Sequence, residues 1–107
     1  MHELAIAQSV VEAVCTRAGD RRVHRVTLRI GALTAVVPEA MSFSFDLATE
    51  GTLAAGARLE MVAVPAAGQC RTCGHHGPIH GLLCPCGSAD VDVTAGRELQ
   101  IVSMEVS

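Results

Sequence analysis

The stretch "CRTCGHHGPIHGLLCPCG", residues 70–87, holds four of the chain's five cysteines and three of its five histidines. Cys70 and Cys73 form a C-x-x-C pair. Cys84 and Cys86 form a C-x-C pair, one residue short of the usual knuckle. Two close cysteine pairs separated by ten residues offer four thiolates, the donor set that tetrahedral Zn²⁺ takes in structural sites. A segment this small, with few large apolar side chains, cannot fold on hydrophobic burial alone, and metal binding offsets that deficit. A dithiol redox reading of "CRTC" lacks the helix N-terminus that such motifs use, and a second pair lies close by. The short pair leaves two arrangements open, because Pro85 has no N–H to direct at a sulfur. Either both sulfurs reach one ion through a tighter loop, or one leaves and His75, His76 or His80 replaces it, since imidazole also suits zinc. We expect all four sulfurs to bind.

Outward from the cysteines, two apolar segments flank the module. Residues 58–64, "RLEMVAV", read as a strand stopped by Pro65, and residues 97–106, "RELQIVSMEV", as a long final strand. The cysteine segment therefore sits as an elaborated connection between two strands. Upstream, residues 3–18 carry Leu4, Ala7, Val11, Val14 and Ala18 at helical spacing, widened by Ile6, Val10 and Ala13. Residues 22–30 alternate, with Val26, Leu28 and Ile30 on one face and Arg25, Thr27 and Arg29 on the other. "GALTAVV" follows as a loop. Pro38 opens a second helix where its missing N–H costs nothing, and Gly51 ends it. Met41, Phe45 and Ala48 lie on one side of that helix, with Phe43 and Leu47 beside them. The expected class is α+β: a small three-stranded sheet with two helices on one face, plus an inserted zinc-ribbon-like module. Residues 1–65 and 96–107 make the first domain, and residues 66–95 the inserted zinc-binding one.

Half the residues are hydrophobic, yet aromatics are nearly absent, so any core is built from aliphatic side chains and Met. The formal charge of −3 and the lack of a basic run argue against a phosphate-tracking surface, so no nucleic-acid partner is expected. No apolar run reaches the roughly 20 residues that span a bilayer. "MHELAIAQSV" lacks the basic start and cleavage site of a signal peptide. A cytoplasmic protein without a membrane partner is the expectation, and reducing conditions favour metal over disulfide for paired cysteines.

The N-terminus carries a second candidate site. His2 keeps Met1 attached, because the initiator is removed only before small residues. The Met1 amine, the His2 amide nitrogen and the His2 imidazole can close fused chelate rings on one metal, and Glu3 can add a backbone or carboxylate donor. Nitrogen-rich, flattened coordination suits Ni²⁺ or Cu²⁺ better than zinc. On its own, a histidine at position 2 more often marks an exposed terminus.

Together these pieces resemble one family along nearly the whole chain: the nickel metallochaperones HypA/HybF, which mature NiFe-hydrogenases. The resemblance rests on "MHEL" opening a helix and on "LRIGALTAVVPEAMSFSFDLATEGT". Within that stretch Gly31, Val37, Pro38, Glu39, Phe43, Phe45, Gly51 and Thr52 fall in the family pattern. It continues through "GARLEMVAVPAAGQCRTC", "CPCGS" and "GRELQIVSMEV". The resemblance implies that His2 is the essential nickel ligand, assisted by Met1 and Glu3, and that Cys70, Cys73, Cys84 and Cys86 hold structural Zn(II) in a separate lobe. It implies transient Ni(II) received with a nickel-binding GTPase, HypB, and passed to the NiFe-hydrogenase large subunit. Some members also serve urease and its accessory proteins. The departure is "CPCGS", where the family usually has C-P-x-C-G-S.

No nucleophile–base pair and no phosphate loop is visible, so no enzyme activity is expected. Cys15 reads as a small buried hydrophobe, His24 as a packed or rim histidine, and Glu39 as a carboxylate favoured by the start of a helix. Met41, Met61 and Met104 read as core filling. The competing reading is a generic structural zinc-ribbon interaction module, because a zinc site does not by itself name a function.

Overall fold

The computed structural model describes residues 2–107. In chain order these form helix α1 (His2–Ala18), strand β1 (Val23–Gly31), a 3₁₀ turn (Ala32–Thr34) and helix α2 (Pro38–Thr49). Strands β2 (Arg58–Val64), β3 (Ala67–Cys70), β4 (His76–Pro78), β5 (Val91–Ala95) and β6 (Leu99–Val106) follow. Two three-stranded sheets result, ordered β2-β1-β6 and β4-β3-β5. The α+β class expected from the sequence is the class observed. The chain divides into two compact units. The first takes residues up to Leu28, Val36–Val62 and Gln100–Ser107; the second takes Arg29–Ala35 and Ala63–Leu99.

In the first unit, α1 buries Glu3, Ala7, Val10, Val11, Val14 and Ala18. The spacing of three, four and seven residues puts them on one stripe, and the stripe packs against α2. Glu3 is an acid at the head of an apolar stripe, and its carboxylate needs a partner there. On α2 the buried residues are Met41, Ser44, Phe45 and Thr49. Phe45 and Met41 are fully enclosed, whereas Phe43 and Leu47 stand out in solvent. Pro38 occupies the first turn of α2, and the N-cap residue, Val37, has no side-chain oxygen to offer. In the middle strand, Arg25 ion-pairs with Glu60 of β2 at 2.6 Å and with Glu105 of β6 at 3.1 Å. This cross-strand bridging ties the middle strand to both neighbours, although solvent screening keeps the contribution of such exposed pairs small. His24 is exposed and bonds the Ser107 hydroxyl, a rim position. Met61 and Met104 are half-buried, and only Met41 is deep in the core.

In the second unit, the first five residues of "GALTAVV" are less of a loop than their composition indicates. Gly31 closes β1, its N–H donating to the Glu98 carbonyl at 2.8 Å, and the Leu33 N–H donates to the Gly96 carbonyl at 2.7 Å. Ala35 leaves the 3₁₀ turn in the left-handed region, with φ of 61°. The cysteine module has a sheet of its own, of which only β5, "VDVTA", carries an alternating pattern in the sequence. Strand β3 pairs antiparallel with β4, Gly68 opposite Gly77, and with β5, Cys70 opposite Val91. Arg71 clasps Asp90 and Asp92, and the Thr72 and Ser88 hydroxyls meet at 2.8 Å. Few apolar side chains are buried here, Ile79 being one.

Gly31 is a contact that only glycine allows. A methyl group there would meet the Gly96 carbonyl oxygen at 2.1 Å and the Arg97 nitrogen at 2.7 Å. Backbone cannot swing aside as a side-chain tip can. Gly31→Ala is therefore expected to destabilise the protein by about 2–3 kcal/mol, read as a lower urea midpoint; an unchanged midpoint would refute the close approach.

Candidate metal centres

The sulfurs of Cys70, Cys73, Cys84 and Cys86 all lie within 4.8 Å of one another. Local backbone bonding builds this cluster. Cys70 ends β3, and the Cys73 N–H turns back to the Cys70 sulfur at 3.5 Å. Gly74 N–H donates to the Cys70 carbonyl at 3.0 Å, completing the first knuckle. The short second pair closes differently. The Cys86 N–H itself reaches the Cys84 sulfur at 3.5 Å, two residues back. The Gly87 N–H then donates to the Cys84 carbonyl at 2.8 Å, and the Cys84 N–H to the Ser88 carbonyl at 3.0 Å. Cys86 thus supplies the amide that Pro85 lacks.

Across the pairs, Cys70 and Cys86 sulfurs stand 3.8 Å apart, and Cys73 and Cys84 sulfurs 3.6 Å apart. A tetrahedron with Zn–S bonds of about 2.3 Å has edges of about 3.8 Å, so the spacing and the donor set fit structural zinc. Cys70 and Cys84 are buried, while Cys73 and Cys86 are exposed. Without metal the thiols resist sharing charge. Amide donation from Cys73, and then from Thr72, outweighs burial and brings Cys70 down to about 6. At Cys84 the Cys86 amide pulls downward, but burial and the neighbouring sulfurs overcome it and push the thiol up to about 12. A divalent cation relieves that repulsion and expels the protons.

None of the three module histidines joins the sulfur cluster. The His75 ring is 3.1 Å from the Pro78 carbonyl. His76 lies exposed on β4, and His80 is exposed and exchanges backbone bonds with Leu83 at 3.0 Å. Cys15 is half-buried on α1 and is not a member of the cluster.

At the N-terminus, Met1 lies outside the described residues. The His2 side chain is 51% exposed at the start of α1. Its Nδ1 is 3.6 Å from Glu3 Oε1, near but beyond hydrogen-bond reach. The other Glu3 oxygen, Oε2, accepts the Val37 N–H at 3.1 Å. This was not legible from the sequence, because the partners lie 34 positions apart. In a capping box, a Glu three residues into a helix reaches back to the N-cap amide. Here a carboxylate on another helix does so, and its charge also favours the positive end of α2. The Val37 amide, then the amide of Glu3 itself, holds the carboxyl down to about 2 despite its desolvation.

A sequence model described as hydrogenase/urease nickel incorporation, metallochaperone, hypA, matches residues 1–106. The chain belongs to the HypA family. Its members are nickel metallochaperones of hydrogenase maturation. The hydrogenase maturation factor HypA of Geobacter metallireducens is 47% identical, over 99% of both chains. That of Trichodesmium erythraeum is 43% identical, over 99% of this chain and 96% of its own. Among solved structures, a HypA protein in solution superposes with a TM-score of 0.69 at 25% identity, covering 100% of this chain and 97% of its own. The nickel metallochaperone HypA of Helicobacter pylori shares the fold, with a TM-score of 0.65 at 23% identity, over 97% of this chain and 96% of its own. No helix among the described residues is long and apolar enough to cross a membrane.

The Glu3 geometry fixes a pH response. The depressed carboxyl contributes stability that is full above its ordinary value of 4.5 and is lost as pH falls from there towards about 2. Glu3→Gln is expected to flatten the fall of the unfolding midpoint over that window relative to wild type. Parallel curves for the two proteins would show that the Val37 bond does not depend on charge.

Proposed function

We propose that this chain binds Ni(II) through its N-terminus, with His2 as the essential ligand, and delivers it during maturation of NiFe-hydrogenase. What carries the reading is the family match across residues 1–106, joined to a histidine exposed at the head of α1. The Met1 amine, the His2 amide nitrogen and the imidazole supply the chelate. Glu3 contributes its backbone nitrogen or Oε1, the oxygen not committed to Val37. A delivery site needs few protein groups and open access, which a chain end provides. Nickel binds N/O sites more tightly than iron or manganese do, so selectivity comes from geometry and from the partner that loads the metal.

The same reading assigns Zn(II) to Cys70, Cys73, Cys84 and Cys86, with His75, His76 and His80 outside the coordination sphere. The donor set supports this: four thiol sulfurs within 4.8 Å of one another match the all-sulfur coordination of a structural ion. When bound, zinc cross-links the two knuckles and balances the thiolate charge. Residues 66–95 thereby act as scaffold, while residues 1–65 and 96–107 carry the nickel work. The protein acts by transfer and not by catalysis, in the cytoplasm. Its partners are a nickel-binding GTPase of the HypB kind, which supplies the hydrolysis, and the hydrogenase large subunit. Urease and its accessory proteins are a second destination on the same chemistry. Neither nucleic acid nor membrane takes part.

A nickel competition titration on zinc-loaded protein with a native N-terminus tests the first half. Wild type is expected to bind about one nickel, and His2→Ala to lose it while keeping its zinc. Equal binding by both would reduce the chain to a zinc-ribbon interaction module. Metal analysis tests the second half. Cys86→Ser is expected to weaken zinc about 10-fold or more, whereas His75→Ala, His76→Ala and His80→Ala leave zinc content unchanged. Loss of zinc from a histidine variant would put imidazole in the site.

A further inference from the structure

We propose that the outer face of α2 docks a partner helix carrying apolar anchors flanked by Lys or Arg. The chain has two phenylalanines, both on α2. Phe45 is fully buried, but Phe43 is 67% exposed. Leu47, one helical turn on, is 44% exposed, and Val37 at the N-cap is 54% exposed. Burying such side chains gains about 1.5–3 kcal/mol each, and the first unit leaves them in water while it encloses Met41 and Phe45 on the opposite face. Phe43 and Leu47 adjoin at a spacing of four residues, so they form one contiguous apolar spot.

The rim around that spot has one sign. Glu39, Asp46 and Glu50 sit four before Phe43, three after it and three after Leu47, on the same side of the helix. All three are exposed, and none forms a salt bridge among the described residues. No Lys or Arg occurs between Arg29 and Arg58. Arginines elsewhere pair with carboxylates, Arg25 with Glu60 and Arg71 with Asp90. A large apolar anchor flanked along one side by charges without salt bridges is the layout of an interface centre with a polar edge. The charge then selects the occupant. A second copy meeting this face across a two-fold axis would set acid against acid. A cationic amphipathic helix meets opposite charge at every rim position. The inference needs no nickel and stands apart from the N-terminal site.

Two synthetic amphipathic helical peptides test it, with leucines at identical positions, one flanked by Arg and the other by Glu. Each is titrated into the zinc-loaded full chain, with backbone amide resonances as readout. The Arg peptide is expected to shift residues 37–50 saturably, and the Glu peptide is not. Phe43→Ala, which removes an exposed side chain, is expected to weaken binding about tenfold or more with the circular dichroism spectrum unchanged. The combined Glu39→Arg, Asp46→Arg and Glu50→Arg variant is expected to prefer the Glu peptide. Equal response to both peptides, shifts elsewhere on the chain, insensitivity to Phe43→Ala, or concentration-dependent self-association in sedimentation would overturn the proposal.

Discussion

The second unit gathers four sulfurs within 4.8 Å of one another, and it has little else to hold it. Its buried apolar side chains are few and mostly small, Ala66 and Ile79 among them. A core of that size does not balance the conformational entropy of ordering a segment this long. The four clustered thiols, a donor set that fits a structural metal ion, are the feature able to make up the difference. The strands, the Arg71 clasp on Asp90 and Asp92, and the Thr72–Ser88 contact then set the two knuckles facing each other.

The first unit solves a different problem. It has an aliphatic core, filled by Val10, Val14, Val26, Leu28, Met41 and Phe45. Its difficulty is a buried acid at the head of α1. Pairing Glu3 with the Val37 amide satisfies the acid and the start of α2 with one bond. The same carboxylate neighbours His2. The position of His2, the ligand proposed above, is thus tied to helix packing through its neighbour Glu3. A terminus that would otherwise fray has its second residue on a helix and its third residue buried.

Much of this was legible in the sequence, for identifiable reasons. Helix α2 and strand β2 have the spans that Pro38, Pro65 and side-chain periodicity indicate, and α1, β1 and β6 differ by one or two residues at their ends. The two helices and β1 bury one face, so burial writes itself into composition there, whereas β2 and β6 are legible from β-branched and apolar content while staying half-buried or exposed. Strands β3 and β4 are too short and too polar to leave an apolar alternation, and β5, Val91–Ala95, does alternate but over only five residues beside the cysteines. The Glu3–Val37 bond joins residues far apart in sequence, which no local pattern encodes. Phe43 misleads for the opposite reason: an aromatic beside core positions suggests burial, yet the helix turns it outward. The four-cysteine cluster was legible by spacing, but the closure of the short pair was not. It depends on which amide points at Cys84, and Cys86 rather than Pro85 provides it.

The approach of Gly31 and Gly96 has a meaning for how such a chain can vary. A methyl group on Gly96 would touch the Ala66 Cα at 2.8 Å, and the Ala66 carbonyl accepts the Ile79 amide. The points where the chain enters and leaves the cysteine module are therefore in contact. An insert whose ends already meet adds almost no closure entropy to its host, whatever its length. A change of length between Ala66 and Gly96 is therefore taken up within the second unit.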